Sequence, residues 1–281
     1  MQLIKGSDTV KRLKKEIEQD QVLLKGITPQ AAIIRLGEKS DDIAYERSAI
    51  KTLTKYQIDC HSFTFSKNIP NTEFLSKFKE INKNTQINSI LLLRPLPKHI
   101  DIQKIECTIN PLKDIDGISP MNIGKMFNED ESGFAPCTAE AAMEMLKTMN
   151  VSLRGKRVVI VGCGPVVGRP LSLLMLSAGA TVVVCNEYTQ DLAQHTKKAE
   201  ILIVATGVRG LITAKHVSSG MIVIDIGINT DEQGHLCGDV RFNEVAEIVT
   251  AITPVPGGIG VVTTCILARN VYKATKLQRL S

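Results

Sequence analysis

The chain has 281 residues, of which 43% are hydrophobic and 22% are charged, and its formal net charge is +5. This composition excludes a disordered, collagen-like or low-complexity chain, and the length favours about two domains with sizeable cores. Aromatic residues make up only 4% of the chain and tryptophan is absent, which argues against a stacking platform for single-stranded nucleic acid. The densest basic cluster, Lys11 to Lys15, fits a solvated helix face. We therefore expect no nucleic-acid partner.

The cysteines and histidines are spread along the chain. Seven cysteines occur, an odd number, and no two form a Cys-x-x-Cys motif. Free thiols in a reducing compartment are therefore favoured over disulfides or a zinc site. The five histidines show no metal-ligand spacing. No apolar signal region is visible at the N-terminus and no stretch reads as a membrane helix, so we expect a cytoplasmic protein with no metal and no membrane partner.

The first half of the chain alternates helix and strand patterns. Ser7 or Asp8 can cap a helix whose apolar positions include Leu13 and Ile17. The next predicted elements are a strand over 31–36, a helix over 43–56, a strand over 57–65, a helix over 71–83 and a strand over 87–93. Strands that alternate with helices predict an α/β fold with a parallel sheet.

A second α/β block begins near residue 138. Thr138 can cap a helix that runs through Met149. The predicted strands are 157–161, 181–184, 201–205, 221–224 and 250–252, and further helices are predicted over 171–176 and 264–277. The boundary between the two blocks follows from this pattern, because the composition does not change there.

A glycine-rich loop joins the strand at 157–161 to the next helix. Gly162, Gly164 and Gly168 would let the backbone approach a pyrophosphate at the helix N-terminus, as in a doubly wound Rossmann-type sheet. The spacing is one residue longer than the common dinucleotide fingerprint, so a plain tight turn remains an alternative. The following strand leads into Asn186 and Glu187. A carboxylate there can bind ribose hydroxyls and would repel a 2′-phosphate, which favours NAD over NADP, although Glu187 also fits a simple surface loop.

Six segments occur in one order along the chain: 113–117 (KDIDG), 136–138 (PCT), 162–170 (GCGPVVGRP), 225–229 (DIGIN), 238–240 (GDV) and 253–260 (TPVPGGIG). In sequence, order and spacing they resemble the methylenetetrahydrofolate dehydrogenase/cyclohydrolase family, from about residue 30 to the C-terminus. The resemblance implies two α/β domains flanking a cleft. Residues 1–137, rejoined by a C-terminal helix over 264–281, would bind folate, and residues 138–263 would bind NAD or NADP. It also implies a homodimer.

The family oxidises 5,10-methylenetetrahydrofolate to the methenyl form, and many members then hydrolyse that product to 10-formyltetrahydrofolate. The resemblance implies that Tyr45 packs on the folate and that Asp116 binds its pterin ring. A carboxylate suits this role because it can accept two N–H bonds from a 2-amino-4-oxo ring. Further substrate contacts are implied for Pro256, Gly257, Gly258 and Thr263. Cofactor contacts are implied for Gly162, Cys163, Gly164, Val167, Gly168, Asn186, Glu187, Ala205, Thr206, Gly207 and Ile228.

Some family positions differ in this chain. The lysine that follows the tyrosine by one helical turn is Ala49, the glutamine two residues before Pro95 is Leu93, and a serine is Asp42. Arg94 would point to the side opposite Leu93 if the predicted strand continued.

The glycine loop and the end of the next strand also differ from the family. Members that use NADP commonly carry an arginine and a serine where this chain has Cys163 and Glu187. This difference favours NAD. Arg169 could partly compensate for the missing arginine, so NADP stays open.

These differences affect the two reactions unequally. Hydrolysis needs water attack and a proton shuttle, which Ala49 and Leu93 cannot provide. Hydride transfer needs no protein acid or base, because the adjacent nitrogen lone pair expels the hydride. The sequence therefore predicts a dehydrogenase whose cyclohydrolase activity is lost or weak. The alternatives are a bifunctional enzyme, a non-catalytic folate- or nucleotide-binding relative, and a different dehydrogenase on the same scaffold.

Overall fold

The computed structural model describes residues 1–280. The helices there are α1 (Gly6–Leu23), α2 (Ser40–Lys55), α3 (Asn71–Lys83), α4 (Ile102–Thr108), α5 (Pro120–Phe127), α6 (Cys137–Thr148), α7 (Gly168–Ser177), α8 (Leu192–Thr196), α9 (Phe242–Ala246) and α10 (Ile259–Leu280). The strands are β1 (Gln2–Leu3), β2 (Gln30–Leu36), β3 (Asp59–Phe65), β4 (Ser89–Leu92), β5 (Arg157–Val161), β6 (Thr181–Cys185), β7 (Ile201–Val204), β8 (Ile222–Asp225), β9 (Asn229–Thr230), β10 (Leu236–Cys237) and β11 (Ala251–Ile252).

The chain divides into two compact units. The first contains Met1–Arg12 and Thr138–Thr263, and the second contains Leu13–Cys137 and the C-terminal segment that begins at Thr264. The first twelve residues thus belong with the later block, whereas the sequence analysis placed them with residues 13–137. The reason is β1, which runs parallel to β11 and is held by the Ile4 amide, which donates to the Ile252 carbonyl at 2.9 Å.

The first unit is built on a six-stranded sheet in the order β1-β11-β8-β7-β5-β6, in which all neighbours run parallel. The strand β5 lies between β6 and β7, so the direction in which strands are added reverses there. The strand β7 is buried along its whole length, as expected for a parallel strand in the interior of an α/β sheet. This is the predicted doubly wound sheet, and its switch point lies at the carboxyl end of β5.

The second unit contains a three-stranded parallel sheet in the order β3-β2-β4. Its central strand β2 supplies Ala32 and Ile34 to a buried cluster that also contains Phe74 and Phe78 of α3. A buried ion pair joins α2 to this sheet, because Arg35 Nε lies 2.5 Å from Glu46 Oε2 and both side chains are about nine-tenths buried. The α/β class and the two-domain architecture predicted from the sequence are confirmed.

Several predicted boundaries shift. The strand expected over 57–65 begins at Asp59, since Gln57 has a left-handed backbone with φ of 59°. The last helix begins at Ile259, five residues before the predicted start. The short helices α4, α5, α8 and α9 were not predicted, because five to eight residues carry too little periodicity to stand out. Within residues 1–280, no helix has both the length and the apolarity needed to cross a membrane.

Candidate active site

The glycine loop of the first unit packs backbone against backbone. A Cβ at Gly162, whose φ is +111°, would lie 2.1 Å from the Ala205 carbonyl oxygen. A Cβ at Gly168, the first residue of α7, would lie 1.9 Å from the Gly162 carbonyl oxygen. No other residue type fits at either position without moving the loop. Next to Gly164, in contrast, the protein leaves open space.

The remaining predicted cofactor residues follow the ends of neighbouring parallel strands. Asn186 and Glu187 come directly after β6, Ala205 to Gly207 come directly after β7, and Ile228 comes three residues after β8. The carboxyl ends of parallel strands share one edge of a sheet, so the structure brings these residues to the same edge as the glycine loop. Glu187 is exposed there.

Arg169 folds back onto the glycine loop. Its Nε donates to the Cys163 carbonyl oxygen at 3.1 Å. The side chain is exposed, and Cys163 itself is partly exposed. The guanidinium is therefore partly engaged with its own loop.

A fully buried carboxylate, Asp239, supports two of the predicted cofactor segments. Its Oδ2 accepts from the Thr206 amide at 2.6 Å, the Thr206 hydroxyl at 2.9 Å and the Gly207 amide at 2.9 Å. Its Oδ1 accepts from Asn229 Nδ2 at 2.8 Å. Asp239 thus fixes the turn after β7 and ties it to the segment after β8.

A second buried carboxylate, Asp225, holds Asp239 in place. Its Oδ1 accepts from the Gly227 and Asp239 amides, and its Oδ2 accepts from the Val240 amide, at 3.0 to 3.1 Å. Burial raises the pKa of Asp225 to about 6, while the backbone N–H bonds oppose that rise and the Asp239 carboxylate adds to it. Sequence reasoning gave neither aspartate a role, although both lie in segments that carry the family resemblance.

Asp116 of the second unit has a partner on each carboxylate oxygen. The Cys137 amide donates to Oδ1 at 3.0 Å, and Arg94 Nη2 donates to Oδ2 at 3.2 Å. Burial raises the pKa of Asp116, and the Arg94 charge and the Cys137 amide oppose that rise. The alternation that would put Arg94 on the side opposite Leu93 does not apply, because β4 ends at Leu92 and the strand stops before Arg94.

Two neighbours in the same motif serve the fold. Asp114 accepts from the Ile118 and Ser119 amides at 2.9 and 2.8 Å, just before α5. Lys113 Nζ donates to the Asn82 and Asn84 carbonyls at 2.8 and 2.7 Å. Both side chains are buried, so they fix the segment that presents Asp116.

Tyr45 lies on α2 and belongs to the same unit as Asp116. The residue is 37% exposed. Burial of its hydroxyl raises the pKa of Tyr45, and the nearby Cys137 thiol and Asp116 carboxylate add to the rise. The Tyr45 hydroxyl therefore lies within electrostatic range of the Asp116 carboxylate. One turn later on α2, Ala49 is fully buried, and Leu93 is also buried.

Pro256, Gly257, Gly258 and Thr263 belong to the first unit. Pro256 and Gly257 are exposed, whereas Thr263 is buried and its hydroxyl donates to the Ile259 carbonyl at 3.2 Å within α10. The Gly6 amide donates to the Gly257 carbonyl at 3.0 Å, which ties the loop to the start of α1. Among residues 1–280, no cluster of three or more His, Cys, Asp or Glu side chains could hold a metal ion.

A doubly wound parallel sheet with a glycine loop at its switch point is the architecture of dinucleotide-binding α/β enzymes. Comparison with known proteins then identifies the family. The sequence model of the tetrahydrofolate dehydrogenase/cyclohydrolase NAD(P)-binding domain matches residues 136–279, and that of the catalytic domain matches residues 4–116. The chain belongs to the tetrahydrofolate dehydrogenase/cyclohydrolase family.

Individual relatives match over nearly the whole chain. The bifunctional protein FolD of Clostridioides difficile (strain 630) is 43% identical over 279 residues, which cover 99% of this chain and 97% of that protein. The crystal structure of the bifunctional enzyme FolD, methylenetetrahydrofolate dehydrogenase/cyclohydrolase, from Campylobacter jejuni aligns with a TM-score of 0.95 at 37% identity over 99% of both chains. The Trypanosoma brucei enzyme, complexed with NADP cofactor and inhibitor, aligns with a TM-score of 0.90 at 30% identity over 98% of this chain and 96% of that one.

Proposed function

We propose that this protein oxidises 5,10-methylenetetrahydrofolate to the 5,10-methenyl form with NAD(P), and that its methenyl hydrolase activity is lost or weak. The observation that carries the proposal is the identity of the basic residue near Asp116. Arg94 pairs with the Asp116 carboxylate, whereas the position of the family's lysine is taken by the buried Ala49. The relatives at 41–43% identity are named bifunctional, so the dehydrogenase half follows the family and the hydrolase half departs from it.

The first unit would hold the dinucleotide at the carboxyl edge of its sheet. Gly162, Gly164 and Gly168 would admit the pyrophosphate to the N-terminus of α7. The open space beside Gly164 and the tight backbone packing of the other two glycines fit this role. Asp239 would keep Thr206 and Gly207 in place through its hydrogen bonds to both residues. When bound, the nicotinamide supplies the hydride acceptor.

The second unit would hold the pterin ring. Asp116 would accept from the 2-amino group and N3–H of the ring, since a carboxylate offers two oxygens in a fork. Tyr45 would pack on the folate with its partly exposed ring. Pro256, Gly257, Gly258 and Thr263 remain proposed substrate residues on the family resemblance, although the Thr263 hydroxyl already has a partner within α10.

Hydride transfer requires no acid or base from the protein. The nitrogen lone pair next to the methylene carbon expels the hydride, so the protein has to position the carbon and exclude competing reactions. Replacement of the lysine by Ala49 therefore leaves this step possible.

Hydrolysis of the methenyl group requires a proton carrier. Arginine does not act as a general acid or base in proteins, so Arg94 does not replace the missing lysine as a proton carrier. The raised pKa of Tyr45 keeps its hydroxyl protonated. Ala49 and Leu93 have no titratable group. Loss of a positioned acid–base group usually costs about 10²- to 10⁴-fold in rate.

The cofactor preference proposed is NAD. Glu187, exposed just beyond β6, would accept from a ribose hydroxyl and repel a 2′-phosphate. Arg169 donates to its own loop through Nε, which limits how far it can serve a phosphate. The T. brucei relative is complexed with NADP, so both cofactors belong in the test. We further propose a homodimer, on the family resemblance, and a reducing cytoplasmic location, which fits seven free cysteines.

The primary experiment follows reduced nicotinamide and methenyl absorbance with methylenetetrahydrofolate and either NAD or NADP. We expect reduced nicotinamide to form while methenyl product accumulates, with NAD the better cofactor. Methenyl hydrolysis is then measured against its spontaneous rate. A clear enzymatic hydrolysis would refute the claimed loss, and no reduction of either cofactor would refute the dehydrogenase.

The double variant Ala49→Lys/Leu93→Gln tests the cause of the loss. It should raise hydrolysis above the spontaneous rate because it restores the family's residue pair. Ser48→Lys is a matched control, since it places a lysine at an exposed position one residue earlier on α2. A folded double variant that hydrolyses no faster than the Ser48→Lys control would show that the missing pair is not the reason.

A further inference from the structure

Arg94 pairs with Asp116, an interaction that the sequence did not predict. It follows β4 by two residues, and its guanidinium reaches the Asp116 carboxylate at 3.2 Å. The two side chains are mostly shielded from solvent, with exposed fractions of 19% for Arg94 and 22% for Asp116. An ion pair this sheltered is fixed in geometry more firmly than a surface pair.

The guanidinium has hydrogen-bonding capacity left over. Arginine carries five N–H donors in a rigid fork, and one of them is used by Asp116. Across residues 1–280 the structure gives Arg94 no second hydrogen-bond acceptor. Asp116 Oδ1 is held by the Cys137 amide, so carboxylate and guanidinium together present fixed acceptors and unused donors side by side.

A 2-amino-4-oxo pteridine has a complementary edge. Its 2-amino group and N3–H are adjacent donors, and the C4 carbonyl oxygen next to N3 is an acceptor. Asp116 matches the two donors, and a guanidinium at 3.2 Å from the carboxylate stands where it can meet the neighbouring carbonyl.

We propose that Arg94 is a substrate-specificity residue that donates a hydrogen bond to the C4 carbonyl oxygen of the pteridine while Asp116 binds the adjacent N–H groups. The proposal rests on the proposed folate site. Arg94, which does not replace the lysine in hydrolysis, would thus have a separate role in recognising the 4-oxo group of the substrate. A ligand with an amino group at C4 presents a donor to a donor and loses this interaction.

The test compares two ligands on the wild type, on two variants at Arg94 and on one control variant. Binding of folate and of its 2,4-diamino analogue is measured by calorimetry for the wild type, Arg94→Met and Arg94→Gln, at a pH where the free diamino ligand is neutral. A hydrogen bond from a charged donor is worth a factor of about 10 to 100 in affinity. We expect the preference for folate over the analogue to fall by about that factor in Arg94→Met, mainly through weaker folate binding.

Arg47→Met is the matched control, because Arg47 is an exposed arginine of the same unit on α2. It should leave the preference unchanged. Arg94→Gln retains an amide that can donate to Asp116, so it gives a reading even if Arg94→Met does not fold, and it too should lower the preference.

The outcomes separate the two levels of the proposal. If the wild type neither binds folate nor oxidises methylenetetrahydrofolate, the proposed function fails. If the wild type is active and the folded Arg94 variants keep the wild-type preference between the two ligands, the role of Arg94 is overturned while the function stands.

Discussion

Substitution of Asp239 by alanine should loosen the proposed cofactor site, although Asp239 is not itself a proposed cofactor contact. Asp239 is fully buried and accepts from the Thr206 amide and hydroxyl, the Gly207 amide and Asn229 Nδ2. Alanine removes the acceptor of all four donors at once. The turn after β7 and the segment after β8 then lose their common anchor.

The magnitude follows from which donors can find another partner. The Thr206 hydroxyl can rotate, and the Gly207 amide belongs to an exposed residue and can bind water. The Thr206 amide and the Asn229 side chain remain, at about 1–3 kcal/mol for each donor left unsatisfied. We expect Asp239→Ala to lower the free energy of unfolding by about 2–6 kcal/mol, against a typical total of about 5–15 kcal/mol. Ordering the two loosened residues on binding should weaken cofactor affinity by about 10- to 100-fold.

The assay uses NADH fluorescence for affinity and urea unfolding for stability, and the absence of tryptophan simplifies the fluorescence. Asp239→Asn keeps an oxygen for the Thr206 and Gly207 donors and should cost about 1 kcal/mol. Asp231→Ala is the matched control, since Asp231 accepts from the Gln233 and His235 amides in the turn between β9 and β10. A folded Asp239→Ala protein that binds NADH as tightly as this control would refute the reasoning.

Three further predictions concern the first unit. The pKa of Asp225 is about 6 in the folded protein and ordinarily 3.8, so the folded state holds a proton that the unfolded state has lost between these values. The stabilisation due to that proton therefore disappears as pH rises through this window, by about 3 kcal/mol at 1.36 kcal/mol per pH unit. The unfolding free energy of the wild type, measured relative to that of Asp225→Asn, should fall by this amount from pH 4 to pH 7. A difference between the two proteins that stays constant with pH would contradict this prediction. Gly168→Ala, whose Cβ would meet the Gly162 carbonyl at 1.9 Å, should cost about 1–3 kcal/mol in urea unfolding, whereas Gly164→Ala, with open space around it, should not; equal stabilities would show that the loop tolerates the added carbon. Glu187→Ser should raise kcat/KM for NADP relative to NAD about tenfold, by removing a charge that repels the 2′-phosphate, and an unchanged ratio would remove Glu187 from the account of cofactor preference.

The local sequence determined most of the fold and much of the candidate site. A run of β-branched residues such as 157–161 predicts a strand, and in β5 this run is buried from Val158 to Val161. The glycine loop follows from its place between a strand and a helix, and the carboxyl ends of parallel strands must share an edge. These properties depend on residues close together in the chain, so a sequence pattern is enough to predict them.

Tertiary structure decided the features that depend on partners far away in the chain. The two-residue strand β1 exists because β11 offers it an edge. Asp225 and Asp239 acquire their roles by meeting each other and the turn at Thr206 across 14 and 33 residues of sequence. The sequence predicts Arg94 on the side opposite Leu93 only if the strand continues. Alternation holds only while a strand continues, and β4 ends at Leu92. The Arg94 guanidinium pairs with Asp116, which lies 22 residues further along the chain.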